Sequence, residues 1–264
     1  MATDAITAPR RASDAGRRPL ASLILGLVIV AALIGFWEYA VASRWISALV
    51  LPKPSQIATA MVRIWQQGEL LPALGTTLGL VALSLVLATV IGVFLGYLLY
   101  RNPVWGRAFE TILGALFASP LPLMYPVFLV LFGRTIQSIV VLTTIYSCVP
   151  IILNTREALM TVRKVLIWVG RSFNATQSQI FWRIIVPAAS PIIFAGIRLG
   201  VIYAVLTVVA FEFLTDLGGL GKLLSELNYK FRVPDTFAVI LASVIVSAVV
   251  LWFAGFVQRK ATHV

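Results

Sequence analysis

The stretch Val169–Pro191 reads VGRSFNATQSQIFWRIIVPAASP and lies between two long apolar segments. It is rich in arginine, hydroxyl and amide side chains, although 60% of the 264 residues in the chain are hydrophobic. One helical pattern ends within RSFN, and a second begins within ATQSQIF. We therefore predict a short helix, a turn and a second helix between two apolar helices.

The residues at this turn carry local signals for it. Asn174 is suited to the turn, because asparagine tolerates the left-handed conformation at a helix C-terminus better than most side chains. Thr176 is a candidate cap for the second helix, and Gln179 three residues later completes a capping box. Pro187 and Pro191 mark the point where we expect the chain to turn into the next long helix, near whose start a missing backbone donor costs little. The second helix has one apolar side, formed by Ile180, Phe181 and Ile184.

The composition as a whole is that of a membrane protein. Mean hydropathy is +0.97 and only 12% of residues are charged, so a water-soluble globule of this size would have too much apolar surface to hide. Crossing about 30 Å of hydrocarbon takes roughly 20 helical residues. Six apolar windows meet this length, at residues 20–41, 76–100, 111–133, 135–155, 187–213 and 236–257. All six are expected to be helices, which makes the protein all-α and polytopic.

The net charge of +11 is explained better by membrane orientation than by binding to nucleic acid. If the N-terminus is cytoplasmic, thirteen lysines and arginines fall on the inner side and seven on the outer side. The inner set comprises Arg10, Arg11, Arg17, Arg18, Arg101, Arg107, Arg156, Arg163, Lys164, Arg171, Arg183, Arg259 and Lys260. We therefore expect both termini in the cytoplasm, with residues 1–19 disordered, 20–258 forming the transmembrane domain and 259–264 a tail. Signal-peptide cleavage after residues 40–43 stays open, although the first apolar stretch is long for a signal.

Two segments outside the apolar windows show helical signals. Residues 55–65 place Ile57, Met61, Ile64 and Trp65 at helical spacing after a candidate cap at Ser55, which predicts an interfacial helix on the outer face. An ordinary loop is the alternative. The glycine-rich segment 214–236 predicts a surface or re-entrant helix that begins near Lys222 and closes the outer side.

Two GxxxG patterns occur in the apolar windows, at Gly92 and Gly96 and at Gly196 and Gly200. Small residues at this spacing let helix backbones approach closely in lipid. Packing within the chain and dimerisation are both compatible with them.

The third window contains Pro120, Pro122 and Pro126, so a straight helix is not expected there. Irregular backbone at that depth is tolerated where it is buried or lines a water-filled cavity. The segment is thus a candidate wall of a transport path, with a simple packing kink as the alternative.

Two charged residues lie deep in the fifth window, Arg198 and Glu212. An arginine in the bilayer costs several kcal/mol unless it pairs, faces water or reaches the interface. A place in the path or at a gate is one interpretation of Arg198, and an anchor at the cytoplasmic interface is the other. Glu38 and Glu110 lie near the ends of their windows and are expected to be structural.

The chain resembles the permease subunits of bacterial ATP-binding-cassette importers. The resemblance covers residues 50–257 and rests on LPKPSQI, PIILNTREAL, IFWRIIVPAASPIIFAGIRLG, AFEFLTDLGGLG and FAVILASVIVSAVV. It is strongest for the six-span subfamily that imports nitrate, taurine, alkanesulfonates, bicarbonate or pyrimidine precursors. This implies a type I importer permease fold, with residues 158–186 as the cytoplasmic loop that transmits motion from a separate ATPase.

The same resemblance implies partners and coupling residues. Expected partners are two ATPase subunits, an extracytoplasmic solute-binding protein and a second permease, identical or paralogous, in the lipid membrane. The coupling residues implied are Trp168, Val169, Gly170, Arg171, Ser172, Phe173, Asn174 and Ala175, with Arg183 in support. Trp168 stands where the family usually has glutamate and Asn174 where it has glycine, which suggests pairing with a second, more typical permease.

No catalytic or metal-binding constellation is visible in the sequence. It contains no GxxxxGK[ST] phosphate loop, one cysteine, Cys148, and one histidine, His263. We therefore expect no cofactor, no metal and no enzymatic activity in this chain. A stand-alone secondary transporter or a lipid-handling membrane protein is the alternative function.

Overall fold

A computed structural model describes residues 18–47, 49–118 and 121–262. Within these ranges the chain is helical, with eleven α-helices and one π-helical turn and no β-strand. The α-helices are α1 (Arg18–Ala42), α2 (Pro54–Gln66), α3 (Leu70–Arg101), α4 (Pro103–Ala118), α5 (Leu121–Phe132), α6 (Ile136–Met160), α7 (Lys164–Ser172), α8 (Gln177–Ile180), α9 (Val186–Thr215), α10 (Gly219–Tyr229) and α11 (Val233–Thr262).

Five helical stretches of the described chain are long and apolar enough to cross a membrane. They are Ile24–Ala42, Leu70–Arg101, Ile136–Met160, Gln177–Thr215 and Val233–Lys260. The expected third span at residues 111–133 is instead divided between α4, of 16 residues, and α5, of 12. At 1.5 Å per residue neither piece alone reaches about 30 Å. Pro120 lies outside the described residues, Pro122 is in the first turn of α5, and Pro126 is inside α5.

The centre of the bundle is α6, which packs between α3 and α9. Both GxxxG patterns face it. A Cβ added to Gly96 would lie 2.7 Å from the Cβ of Thr155, and one added to Gly200 would lie 2.8 Å from the Cδ1 of Ile151. The same close approach is found for Gly92 and Gly196. The glycines therefore serve packing within the chain, because their open faces are already filled by α6.

The two ends of α9 define the two ends of the bundle. The α7 end carries α7 and α8, which precede α9, and the α10 end carries α10, which follows it. With 30 residues, α9 separates them by about 45 Å.

At the α10 end, α2, α10 and the first turns of α11 share one apolar cluster. Its buried members are Ile57, Ala60, Ile64, Leu70, Leu220, Leu223, Leu227, Ala238, Val239 and Ala242.

The helix predicted at residues 55–65 is therefore present as α2, and the loop alternative is wrong. The proposed cap is also wrong. Ser55 is the second residue of α2, and its backbone N–H and hydroxyl donate to the Glu38 carboxylate at 3.1 and 2.8 Å. Proline at the first helical position starts α2 instead. Trp65, which the spacing placed on the apolar side, is 55% exposed.

Other boundaries also differ from those expected. The helix expected near Lys222 begins at Gly219, and α11 continues through Thr262, so residues 259–262 are helical. Arg259 and Lys260 in the last turn of α11 complement the negative end of the helix dipole, which favours this extension. Disorder is expected for residues 1–19. Residues 1–17 lie outside the described ranges, and α1 begins at Arg18.

Candidate functional site

The α7–α8 segment, residues 164–185, is built around the turn that the sequence predicts. Asn174 has φ of 54°, in the left-handed region. The N–H of Ala175 donates to the carbonyl of Gly170 at 3.1 Å, and the N–H of Asn174 donates to that of Arg171 at 2.9 Å. These two bonds form a Schellman motif, which satisfies the last carbonyls of α7 and reverses the chain. The predicted role of Asn174 in this turn is confirmed.

The start of the second helix is also as predicted. Gln179 donates its backbone N–H to the hydroxyl of Thr176 at 3.3 Å, and Thr176 donates its own N–H to the side chain of Gln179 at 2.9 Å. However, the chain does not turn at the two prolines. A π-helical turn, Phe181–Ile185, joins α8 directly to α9, and Pro191 lies inside α9. Pro187 is the second residue of α9, two residues after this turn, where the hydrogen-bonding pattern is already interrupted.

The α7–α8 segment is seated firmly on three long helices. Ile180 and Ile185 are buried in a cluster with Ala158 and Leu159 of α6, and the ring of Phe181 packs against that of Tyr97 of α3 with centroids 5.2 Å apart. Within the segment, a Cβ at Gly170 would lie 2.5 Å from the Cδ1 of Ile184. Glycine at this position thus lets α7 lie directly on the second helix.

The opposite side of the segment exposes large apolar side chains. Phe173 is 82% exposed, Trp182 66% and Trp168 60%, and Val169 is also exposed. The polar members Arg171, Ser172 and Arg183 are exposed as well. Of the residues predicted for coupling, Gly170 is buried and Ala175 is partly buried. The fold therefore presents a rigid, mostly apolar knob with basic residues around it, which is typical of a surface that binds a protein partner.

Replacing Asn174 by glycine is expected to leave stability unchanged or to raise it by a few tenths of a kcal/mol, because glycine has no Cβ penalty at positive φ. Replacing it by alanine is expected to cost about 1 kcal/mol. The thermal midpoint of the detergent-solubilised protein measures both. Equal midpoints for the two variants would contradict the turn described here.

A second polar site lies at the α10 end, around Glu212. This side chain is fully buried, and its carboxylate accepts the hydroxyl of Thr77 at 2.8 Å and the N–H of Gly221 at 3.1 Å. The same Thr77 oxygen accepts the N–H of Leu220 at 2.9 Å. The carboxylate therefore joins α3, α9 and the first turn of α10, whose free N–H groups and dipole favour a negative charge.

Glycines make this approach possible. Gly219 has φ of 75°, and a Cβ there would overlap the carboxylate of Glu212. A Cβ at Gly221 would lie 2.5 Å from the Cβ of Glu212. The sequence LGGLG is thus explained by a buried carboxylate that needs the backbone of α10 against it.

The two charged residues predicted in the fifth window lie apart. They are 14 residues apart on α9, which is about 21 Å along the axis. Arg198 is exposed beside α11, in a pocket that also includes Gln258 and Arg259, whereas Glu212 faces α3 and α10. Pro126 lies in α5. The preceding residue, Tyr125, packs its ring against that of Phe211, with centroids 5.3 Å apart.

Several residues that hold the site together were missed by sequence reasoning. Thr77 is one, since nothing marks a threonine 135 positions before its glutamate. Asp235 is another. It is buried and pairs with Arg63 of α2 at 2.5 Å and with Arg232 at 2.9 Å, so it holds α2 against α11. Glu38 and Glu110, expected to be structural, bind Ser55 and Arg156 respectively.

Comparison with known proteins identifies the family. Residues 88–263 match the family described as "Binding-protein-dependent transport system inner membrane component". The chain belongs to this family. It is therefore a multi-pass inner-membrane permease of a binding-protein-dependent importer, which confirms the predicted transport function and overturns the alternatives of a stand-alone secondary transporter or a lipid-handling protein. In such importers ATP is hydrolysed by a separate subunit, so the permease itself is not an enzyme.

Two curated relatives of the permease are transport proteins of similar length. It is 29% identical over 207 residues to the formylaminopyrimidine transport permease protein ThiX of Halalkalibacterium halodurans, covering 78% of this chain and 82% of that one. It is 27% identical over 257 residues to the taurine transport system permease protein TauC of Escherichia coli, covering 93% and 92%.

Solved structures confirm the predicted fold of the permease. A chain of the inward-facing MetNI methionine ABC transporter superposes with a TM-score of 0.63 at 23% identity, over 75% of this chain and 98% of that one. A chain of the bacterial alginate ABC transporter, solved with its periplasmic protein, superposes with a TM-score of 0.58 at 13% identity, over 95% and 99%.

Proposed function

We propose that this permease forms, together with a second permease subunit, the path for a small anion or nitrogen heterocycle delivered by an extracytoplasmic binding protein. The support comes from relatives that are named as permeases for formylaminopyrimidine, for taurine and, in a further relative from Bacillus subtilis, for aliphatic sulfonates. The ligand that raises the thermal midpoint of the partner binding protein identifies the solute. A midpoint raised only by a sugar would contradict this substrate class.

We further propose that the α7–α8 segment is the surface gripped by the ATPase. The observation that carries this proposal is the combination of exposed Phe173 and Trp168 with a base packed on α3, α6 and α9. A rigid segment that is exposed on one side and fixed on the other transmits rigid-body motion to the long helices it rests on. Arg171 and Arg183 flank the apolar surface and suit acidic groups on the partner.

This proposal orients the permease with its α7 end in the cytoplasm. The positive-inside bias of the sequence supports the same orientation, and with it the cytoplasmic location of both termini. Residues 20–258 then form the transmembrane domain, and the α10 end faces the binding protein.

Substituting Phe173 or Trp168 by serine tests the coupling role. Aromatic anchors at the centre of an interface contribute about 2 kcal/mol or more, so we expect ATPase binding to weaken about 30-fold and ATP-driven uptake to fall more than tenfold. Permease abundance in the membrane is expected to stay unchanged, because neither side chain packs inside the protein. Trp105→Ser is the matched control, since Trp105 is 63% exposed but lies on α4.

Uptake that survives both substitutions at full rate would remove the segment from coupling. An equal loss with the Trp105→Ser control would show a general effect of deleting an exposed aromatic residue.

The pairing of two different permeases is proposed from the same segment. Trp168 occupies a position where the family usually has a glutamate. A salt bridge from that glutamate to the ATPase therefore has no counterpart in this chain. Counting the subunits in the purified complex tests this. Two copies of this chain with no second permease species would contradict it.

The path itself is proposed to run beside the α4–α5 pair and to be closed at the α10 end by the Glu212 contacts. The division of this span into two short helices, with Pro122 and Pro126 in the second, supports a non-lipid environment there. Pro120 is included in this proposal from the sequence alone.

A further inference from the structure

We propose that the groove between α9 and α11 binds one anionic phospholipid, whose headgroup phosphate is held by Arg198 and Arg259. This inference is independent of the transported solute. It rests on an apolar groove that runs directly into a basic pocket, which together match the two parts of such a lipid.

The apolar part is a groove of about 870 Å³. Ile202, Leu206 and Phe213 line it from α9, and Val244 and Leu251 line it from α11. Its serines do not make it polar. The hydroxyls of Ser243 and Ser247 donate to carbonyls within α11 at 2.9 and 2.7 Å, so neither hydroxyl proton is available to a ligand in the groove.

The basic part is a pocket of about 450 Å³ at the α7 end of the groove. It shares Ala248 and Leu251 with the groove, so the two are continuous. Arg198, Arg259, Gln258 and Trp252 complete its wall, and no carboxylate is found among the described residues that line it. In the described part of the chain Arg198 has no hydrogen-bonding or ionic partner, although it lies in a helix that crosses the membrane.

The antiparallel arrangement of α9 and α11 brings the two arginines together. The α9 residues that line the groove begin at Ile202, just after Arg198, and those of α11 end at Leu251, before Arg259, so both charges lie at the α7 end. From Arg198 to Phe213 the groove follows about 22 Å of helix, which exceeds the roughly 15 Å occupied by the acyl chains of one leaflet. The groove is therefore long enough to hold a whole acyl chain while the phosphate of the same lipid lies beside the two arginines.

The pocket also has the residues of a membrane–water interface. Trp252 stacks on Phe256 at 6.1 Å, and Lys260 lies 5.8 Å above the ring of Phe256. Aromatic residues followed by lysine and arginine mark the headgroup level on the cytoplasmic side. Basic pockets between transmembrane helices at this level suit lipid headgroups. The interface interpretation of Arg198 is thereby favoured over a place in the path.

A helix of a second permease copy is the competing occupant of the groove. It would cover the apolar stripe but leave the charge of Arg198 against a largely apolar surface, at a cost of several kcal/mol. A phospholipid satisfies both parts at once, and this decides our choice.

Native mass spectrometry of the purified transporter complex tests the proposal. With palmitoyl-oleoyl phosphatidylglycerol and phosphatidylcholine added in equal amounts, we expect a preference for phosphatidylglycerol of about 25-fold, since each arginine contributes about fivefold. Arg198→Gln and Arg259→Gln are each expected to lower it about fivefold. Arg107→Gln, at an exposed arginine of α4, is the control and is expected to change nothing.

Two further arms distinguish the source of the anion and the occupant. Inorganic phosphate at millimolar concentration is expected not to displace the lipid, and Ala248→Trp is expected to reduce retention of both lipids, because it fills the junction of groove and pocket. Val244→Cys is expected not to crosslink two copies under oxidation, because the new thiol faces lipid. The native Cys148 does not interfere with this test, since it is buried.

Three results would overturn the proposal. These are no preference for phosphatidylglycerol in the wild type, equal retention by the Arg198→Gln, Arg259→Gln and Arg107→Gln variants, and efficient crosslinking through residue 244. Displacement by phosphate alone would equally refute it, by showing a site for free anions.

Discussion

Replacing Gly219 by alanine is expected to destabilise the permease by about 3 kcal/mol or more and to lower its abundance in the membrane several-fold. Three costs add. A non-glycine residue at positive φ costs about 1–2 kcal/mol, an overpacked site about 1–3 kcal/mol, and each lost hydrogen bond to a buried carboxylate about 1–3 kcal/mol. The added Cβ would overlap the Glu212 carboxylate and push it from Gly221 and Thr77.

The chain offers matched controls that separate these costs. Gly68 has nearly the same φ, 74°, but nothing within 4 Å of an added Cβ, so Gly68→Ala measures the backbone cost alone. Gly79 lies in α3 with ordinary φ and open space, so Gly79→Ala is expected to raise stability by up to about 1 kcal/mol. The measurement is the thermal midpoint of the detergent-solubilised permease, together with its level in membranes. A Gly219→Ala midpoint equal to that of Gly68→Ala would mean that the carboxylate is not packed against α10.

Replacing Gly96 by leucine is expected to have the second-largest effect, a loss of about 3 kcal/mol of stability. The side chain would enter the contact between α3 and α6, where the carbonyl oxygen of Ile152 lies 2.9 Å and the Cβ of Thr155 2.7 Å from the first added carbon. Backbone atoms cannot move aside as a side chain end can, so the helices must separate. Gly96→Ala is expected to show a smaller loss in the same direction.

Gly79→Leu is the matched control, because Gly79 is on the same helix and has no atom within 4 Å of an added Cβ. Both leucine variants gain the same helix propensity, about 1 kcal/mol over glycine, so their difference reports packing alone. Equal thermal midpoints would indicate that the GxxxG face of α3 is free in the native protein, as a dimerisation role would require.

Sequence reasoning succeeded where the cause of a structure is local. The turn at Asn174 and the capping box of Thr176 and Gln179 involve residues within five positions of each other, and their side-chain chemistry specifies them directly. It failed at Ser55, which has the right chemistry for a cap but is bound by Glu38, 17 residues earlier. It also failed at Pro187 and Pro191, since the chain does not turn there: α9 follows the π-helical turn directly and continues through both prolines.

The amino-acid sequence by itself determined that this protein lies in a membrane, that it is helical, and that a polar hairpin interrupts its long helices, because hydropathy and helix-end chemistry act over one or two turns. Only the tertiary structure decided what the glycines and buried charges do. Glu212 meets Thr77 across 135 positions, Gly96 of α3 and Gly200 of α9 both pack against α6, and the pairing of α9 with α11 places Arg198 beside Arg259. Such contacts depend on which helix faces come together, and in lipid that choice is made by the close fit between faces rather than by hydrophobicity, which differs little from one face to another of the long apolar helices.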